Sequence, residues 1–145
     1  MKKYKLGYTT GVYDLFHVGH LNMLKSSKAL CDKLIVGVTV DELVKYKGKA
    51  AVIPYENRAL IVENIRYTDL VVPQREINKF KAWEKLKFDV LFVGDDWYNS
   101  PTWNEYEEKL SEKGVEIIYI PYTANVSTTE LKKKIKEHLD EELDK

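Results

Sequence analysis

The sequence predicts an α/β fold built on a parallel sheet. Three observations carry that expectation. Short β-branched runs alternate with helix-length amphipathic stretches along the chain. Several of those runs are almost continuously apolar, as strands covered on both faces are. The length, 145 residues with 44% hydrophobic, suits one domain with an ordinary core and leaves no room for two.

The elements follow in order. A first strand is expected over 5–11. A clearer one spans 33–39, where Leu34, Ile35, Val36 and Val38 are crowded together. Runs at 70–73, 89–94 and 115–120 complete five strands. Helices are expected near 19–31, 54–66, 76–87, 103–113 and 127–142. In the first, Met23, Leu24, Ser27, Leu30 and Cys31 recur at helical spacing. In the second, Pro54 suits a first turn, with Leu60, Ile61 and Ile65 following at helical spacing. The stretch from about 131 to 145 reads as a charged amphipathic packing helix with Leu131, Ile135, Leu139 and Leu143 inward. No internal repeat or low-complexity linker interrupts the pattern, so residues 1–145 are read as a single domain.

Composition removes several function classes. Lys and Arg number 23 and so do Asp and Glu. A chain without net charge is a poor candidate for coating a duplex or an anionic membrane, so neither nucleic acid nor membrane is an expected partner. One cysteine, Cys31, excludes an intramolecular disulfide framework and a four-thiolate zinc site. No apolar run approaches the roughly 18 residues that a membrane-spanning helix needs. The first residues lack the apolar stretch of a signal peptide. A soluble cytoplasmic protein is the expectation.

Ligands of open parallel sheets sit beyond the carboxyl ends of the strands. The informative residues therefore follow each strand. The first such loop is Gly11, Val12, Tyr13, Asp14, Leu15, Phe16, His17, Val18, Gly19, His20. Gly11 would admit a ligand close to the backbone. His17 and His20 lie three apart around Gly19. With His20 in the first helical turn, its ring shares space with the free N–H groups of a helix start, a ready anion site. Three roles compete for the pair: half of a metal site, two structural histidines, or donors to a phosphate. Metal ligation is short of partners, with only Cys31 and His138 as further soft ligands. Lys47 and Lys49, two apart in an extended loop, point the same way and suit a polyphosphate; the alternative is a solvated loop. Asp95 and Asp96 after the fourth strand suit a magnesium ion or a substrate hydroxyl, or simply a capped turn. Ser127 with Glu130 is a capping box for the last helix. The same hydroxyls and helix N–H groups also suit outer phosphates.

His17-Val18-Gly19-His20, behind a Gly-x-Tyr-Asp turn at the first strand, resembles the His-x-Gly-His signature of the nucleotidylyltransferases. With the later motifs, the chain resembles their cytidylyltransferase branch over residues 5 to 137, and most nearly the glycerol-3-phosphate cytidylyltransferases. The resemblance implies a Rossmann-like five-stranded parallel sheet, a homodimer, magnesium, and transfer of CMP from CTP to a phosphorylated alcohol with release of pyrophosphate. It implies roles as well. His17 and His20 are catalytic and contact the CTP phosphates, as Lys49 also does, while Lys47 bridges to the acceptor. Gly11, Val12, Tyr13, Asp96, Trp97, Thr123, Ser127 and Thr128 bind the nucleotide. Asp14, Arg58 and Arg66 join Lys47 on the acceptor. No protein metal ligand is implied. The chain departs from the family pattern at Tyr122 for Arg, Ala124 for Glu, Asn125 for Gly and Val12 for Thr. These changes leave two rivals: another phospho-acceptor, or adenylyl transfer in place of cytidylyl transfer. An idle nucleotide-binding module and a purely structural domain are more distant readings. No Gly-x-Gly-x-x-Gly turn supports a redox role.

Overall fold

A computed structural model describes residues 3–94, 101–124 and 126–143. Five parallel strands form one sheet: β1 (Tyr4–Gly11), β2 (Cys31–Thr39), β3 (Leu70–Gln74), β4 (Val90–Gly94) and β5 (Glu116–Ile120). Their order is β3-β2-β1-β4-β5. The chain steps outward from β1 to β3, returns across the middle, and steps outward again through β4 and β5. The reversal lies between β1 and β4, the position beside which ligands of open parallel sheets bind.

Alternation along the strands builds two cores. Leu34, Val36 and Val38 of β2 face one side with Val90 and Phe92 of β4. Ile35, Leu91 and Val93 face the other with Tyr8. The first side is covered by α1 (Val18–Ala29) and α3 (Tyr55–Glu63), which contribute Leu24 and Val62. The second is covered by α4 (Lys79–Leu86) and α5 (Pro101–Glu112), which contribute Phe80, Trp103 and Leu110. Trp103 is thus a core residue. β2 and β4 are covered on both faces, which is why they read as apolar runs.

Four expectations need correction. Cys31 begins β2 rather than closing the first helix, and it is fully buried. Pro54 is the extended N-cap of α3 and not its first turn. The segment after β2 opens with a short helix, α2 (Asp41–Tyr46), and only from Lys47 on does it run as the loop that carries Lys47 and Lys49. Six residues are too few for helical periodicity to show. The last correction concerns α6 (Thr128–Leu143): none of its residues is buried, and Ile135, Leu139 and Leu143 are exposed.

Candidate active site

The site grows from the turn after β1. Tyr13 and Leu15 both take positive φ, 56° and 50°. Such values are costly for side chains of this size and cluster where a fold over-determines the backbone. They curl the chain so that Tyr13 and Asp14 turn into the protein. Gly11 is required for a different reason than ligand approach: a Cβ there would meet the Tyr13 ring at 2.9 Å.

His17 is the N-cap of α1. Its Nδ1 accepts the amide of Gly19 at 3.0 Å, and the Nδ1 of His20 accepts the amide of His17 at 3.1 Å. This is a capping box made of two imidazoles, with histidine taking both the Ser/Thr and the Glu/Gln place. Gly19 makes room for it, since a Cβ would lie 2.8 Å from the His17 ring. The two rings stack at 3.8 Å and 26°. Tyr13 meets His20 edge-on, and Phe16 packs against it.

The capping bonds settle the protonation chemistry. A neutral ring whose Nδ1 accepts must carry its proton on Nε2. Burial, reinforced by the neighbouring His17, pushes His20 down to about 4, and burial lowers His17 as well. Both are therefore neutral near pH 7, and each offers one Nε2–H to an anion at a helix N-terminus. The shift also sets a pH dependence. The unfolded chain takes up the His20 proton near the ordinary value of about 6.5, whereas the folded chain resists it down to about 4. Between those values the unfolded state binds more protons. Stability is full above about pH 6.5 and falls progressively toward pH 4. Denaturant titrations across that window should show the loss, and His20→Asn should reduce it.

Two cations lie in the turn after α2. Lys47 is the C-cap of α2, and Gly48 turns the chain at φ 79° before Lys49. The lysines therefore hang from a helix end. Lys79 was missed in the sequence. Asn78 caps α4 through its side chain and sets Lys79 as the first helical residue. Lys79 is only 8% exposed, and its Nζ donates to Thr10 Oγ1 at 2.8 Å. Burial, with the charge of Lys47 nearby, brings it down to about 7. Burial and Lys49 lower Lys47 in turn. A buried amine held by a hydroxyl, among other cations, is poised to recover its full charge when an anion arrives. A lone lysine between an asparagine and a phenylalanine carries no sequence signal; only the return of α4 over the end of β1 gives it one. Lys79→Met should raise the KM for a phosphorylated acceptor at least ~10-fold by removing a charge-assisted contact. An unchanged KM would remove it from the site.

The remaining expected residues divide. Asp14 is 3% exposed, and its carboxylate accepts the amides of Val52 and Ile53 at 2.8 and 3.0 Å and pairs with Lys132 at 3.3 Å. Burial alone would raise it, but those bonds hold it below the usual carboxylate range. It cross-links the turn after β1 to the segment before α3. Arg58 is fully buried. It donates to the carbonyls of Ile53, Val12 and Thr39 and pairs with Asp41 at 2.6 Å. Its donors are turned to the fold, and it fixes Val12 through the backbone. Arg66 is exposed in the turn that leads into the amino end of β3, the far end of the sheet from His17 and His20. Within one chain it is not brought to the site. At the start of α6, Ser127 accepts the amide of Glu130, and Thr128 donates to the carbonyl of Asp14 at 2.9 Å. Thr123 accepts from Asn22 of α1 at 3.0 Å. These hydroxyls bind the N-terminus of α6 beside that of α1. Tyr122 lies over Gly94, where any Cβ would overlap its ring. Asp95, Asp96, Trp97 and Asn125 lie outside the described residues.

Two helix N-termini, a stacked neutral imidazole pair and three lysines at the carboxyl ends of a parallel sheet define a nucleotide-handling α/β protein of the phosphoryl- or nucleotidyl-transfer class. The chain belongs to the cytidylyltransferase-like family, whose pattern matches residues 8–134. It is 37% identical to the glycerol-3-phosphate cytidylyltransferase of Bacillus subtilis over 88% of this chain and 94% of that protein. The Staphylococcus aureus protein of the same name is 35% identical over 88% and 92%. An FAD synthase of Pyrococcus abyssi is 38% identical over 87% and 86%. Among solved structures, a lipopolysaccharide core biosynthesis protein of Thermoplasma volcanium superposes with a TM-score of 0.70 at 25% identity, covering 83% of this chain and 97% of that one. The protein is accordingly a nucleotidyltransferase.

Proposed function

We propose that the enzyme transfers CMP from CTP to a phosphorylated alcohol, with glycerol 3-phosphate as the first candidate, and releases pyrophosphate. The observation that carries this reading is the imidazole pair. Its Nε2–H donors are fixed by the capping bonds, and Lys79, Lys47 and Lys49, which influence one another's charge, supply cations suited to a second anion. In the proposed step an oxygen of the acceptor phosphate attacks the α-phosphorus. The new P–O bond forms as the bond to the β-phosphate oxygen breaks, and pyrophosphate leaves with that electron pair. The acceptor is already ionised near neutral pH, so no strong base is required. Catalysis is then positioning and charge stabilisation. His17 and His20 hold α-phosphate oxygens, more tightly as charge gathers there. Lys47, Lys49 and Lys79 offset repulsion between the two anions. The N-terminus of α6, with Ser127 and Thr128, receives the outer phosphates, and Gly11, Val12 and Tyr13 form the backbone wall of the nucleotide site.

Magnesium would accompany the triphosphate and lower its charge. Among the described residues no group of three or more metal-ligating side chains converges, and the Asp14 carboxylate is engaged by amides and Lys132. The residues described thus suit an ion carried by phosphates rather than by a protein cage. We further propose a homodimer working in the cytoplasm. Among the described residues no helix is long and apolar enough to cross a membrane.

The FAD synthase relatives favour one second reading, adenylyl transfer to a phosphorylated acceptor. Pyrophosphate release should be measured with magnesium, crossing CTP, ATP, GTP and UTP against phospho-acceptors headed by glycerol 3-phosphate. Turnover with CTP and glycerol 3-phosphate is expected. Turnover with ATP alone would replace the reading by the second. Tight nucleotide binding without turnover on any acceptor would overturn both.

A further inference from the structure

Among the described residues Lys79 is the only buried lysine, and its partner is a neutral hydroxyl, Thr10 Oγ1 at 2.8 Å. Three features of its surroundings disfavour an ammonium. The group is withdrawn from water. It opens α4, whose first turn holds no acidic side chain, so the positive end of the helix dipole adds to the cost. Lys47, in the turn after α2, adds a like charge. Nothing opposite in sign offsets these. Among the described residues no carboxylate pairs with Lys79, and the acids on its own segment and helix, Glu76 and Glu84, are exposed. Burial, with Lys47 beside it, brings the amine to about 7 in the free protein. A doubly charged anion arriving here reverses each of the three penalties.

Thr10 suits an amine that changes charge. It lies on β1 opposite Gly37 of β2. Its methyl rests on that glycine, where a Cβ would come within 3.0 Å of it. A threonine has few χ1 choices, so seating the methyl on β2 aims the hydroxyl at the start of α4. A hydroxyl accepts from an ammonium and, once rotated, donates to the lone pair of a neutral amine. A carboxylate in its place would hold the lysine charged at all times and would repel a phosphate.

We propose that Lys79 takes a proton from solvent as the acceptor's phosphate binds, and that Thr10 is the positioning residue that holds the amine before and after. This rests on reading the lysines as the acceptor's site. A phosphate monoester is a dianion above about pH 6 and brings no proton of its own. The neutral amine gains one from water and becomes an ammonium. Proton and acceptor then raise each other's affinity. Above about pH 7 the complex binds more protons than the free enzyme, so acceptor affinity is full below that value and falls as pH rises through it. The acceptor KM should rise about 5-fold over the first pH unit above 7, while the nucleotide KM stays level.

NMR of enzyme with lysine isotopically labelled at Cε reads the amine directly, the Lys79 signal being assigned by its loss in Lys79→Arg. In the free enzyme it should titrate near 7. Millimolar glycerol 3-phosphate should move that titration up by about one pH unit or more, and so should sulfate, a dianion with no proton to give. Thr10→Val keeps the methyl contact and loses the hydroxyl. It should raise the acceptor KM about 10-fold or more and spare the nucleotide KM. Thr10→Ser should restore the acceptor KM. A Lys79 amine still charged at about pH 9 in the free enzyme, or one that neither anion moves, would overturn the proposal. Turnover of CTP with glycerol 3-phosphate would then leave the reaction standing. A signal moved by sulfate and not by glycerol 3-phosphate would support the proton uptake and count against that acceptor. An unchanged acceptor KM in Thr10→Val would overturn the role of Thr10.

Discussion

Replacing His20 by alanine lowers kcat at least ~100-fold, the scale on which losing one preorganised donor to a developing oxyanion is felt. His17→Ala does the same. The two residues are separable, because each ring has one nitrogen in the fold and one free for chemistry. His17 caps α1 through Nδ1, so His17→Ala also loses about 1 kcal/mol of stability. Asparagine is among the best N-caps. His17→Asn should therefore keep the melting temperature and still lose activity. Steady-state kinetics beside thermal melts of the three variants test this. Near-normal rates in folded His17→Asn and His20→Ala would remove the imidazoles from the chemistry. A rate loss that tracked only the melting temperature would reduce them to caps.

Arg58→Ala should be the most destabilising single change in the site region. The guanidinium is fully buried and ties three carbonyls and one carboxylate from four separate segments. Removing it leaves the carbonyls of Val12, Thr39 and Ile53 without this donor, at about 1–3 kcal/mol for each that stays buried and unpaired, while the Asp41 carboxylate, 44% exposed, is hydrated instead. Arg58→Lys should recover little, since one ammonium cannot reproduce the planar fork. Activity at low temperature should survive in whatever fraction folds, because the donors of Arg58 are spent on the carbonyls of Ile53, Val12 and Thr39 and on Asp41. Urea titration gives the stability, and single-temperature kinetics on the folded fraction give the rest. A loss under about 1 kcal/mol would show that the loop is held by other means, since ordinary surface substitutions stay within about half of that.

Much of the site was legible along the chain, and the reason is spacing. His17, Gly19 and His20 belong to a single turn, so their geometry is local and their sequence pattern carries it. The same holds for Ser127 and Glu130, whose capping bond spans three residues. Arg58 and Asp14 were visible as charged residues in telling positions, but the bonds they make within the fold were not. Each has partners 38 or more residues away, Val12 for the arginine and Val52 for the aspartate. Those bonds exist only once the loops after β1 and β2 have met. Lys79 gave no signal at all. Its importance depends on α4 starting over the end of β1, a distance of 69 residues along the chain from its Thr10 partner.

The sequence alone determined the alternation of strands and helices, the family, the imidazole pair and the cap of α6. These depend on local periodicity and on contacts within one turn, which burial and hydrogen-bond geometry impress directly on neighbouring residues. The tertiary structure alone decided which charges are spent on bonds within the fold. A charged side chain is costly to bury unless paired, and its partners come from whichever segments the sheet order brings together. It decided the fate of the last helix too. An apolar stripe at helical spacing says that something must cover it, and only the position of α6 shows that its own chain does not.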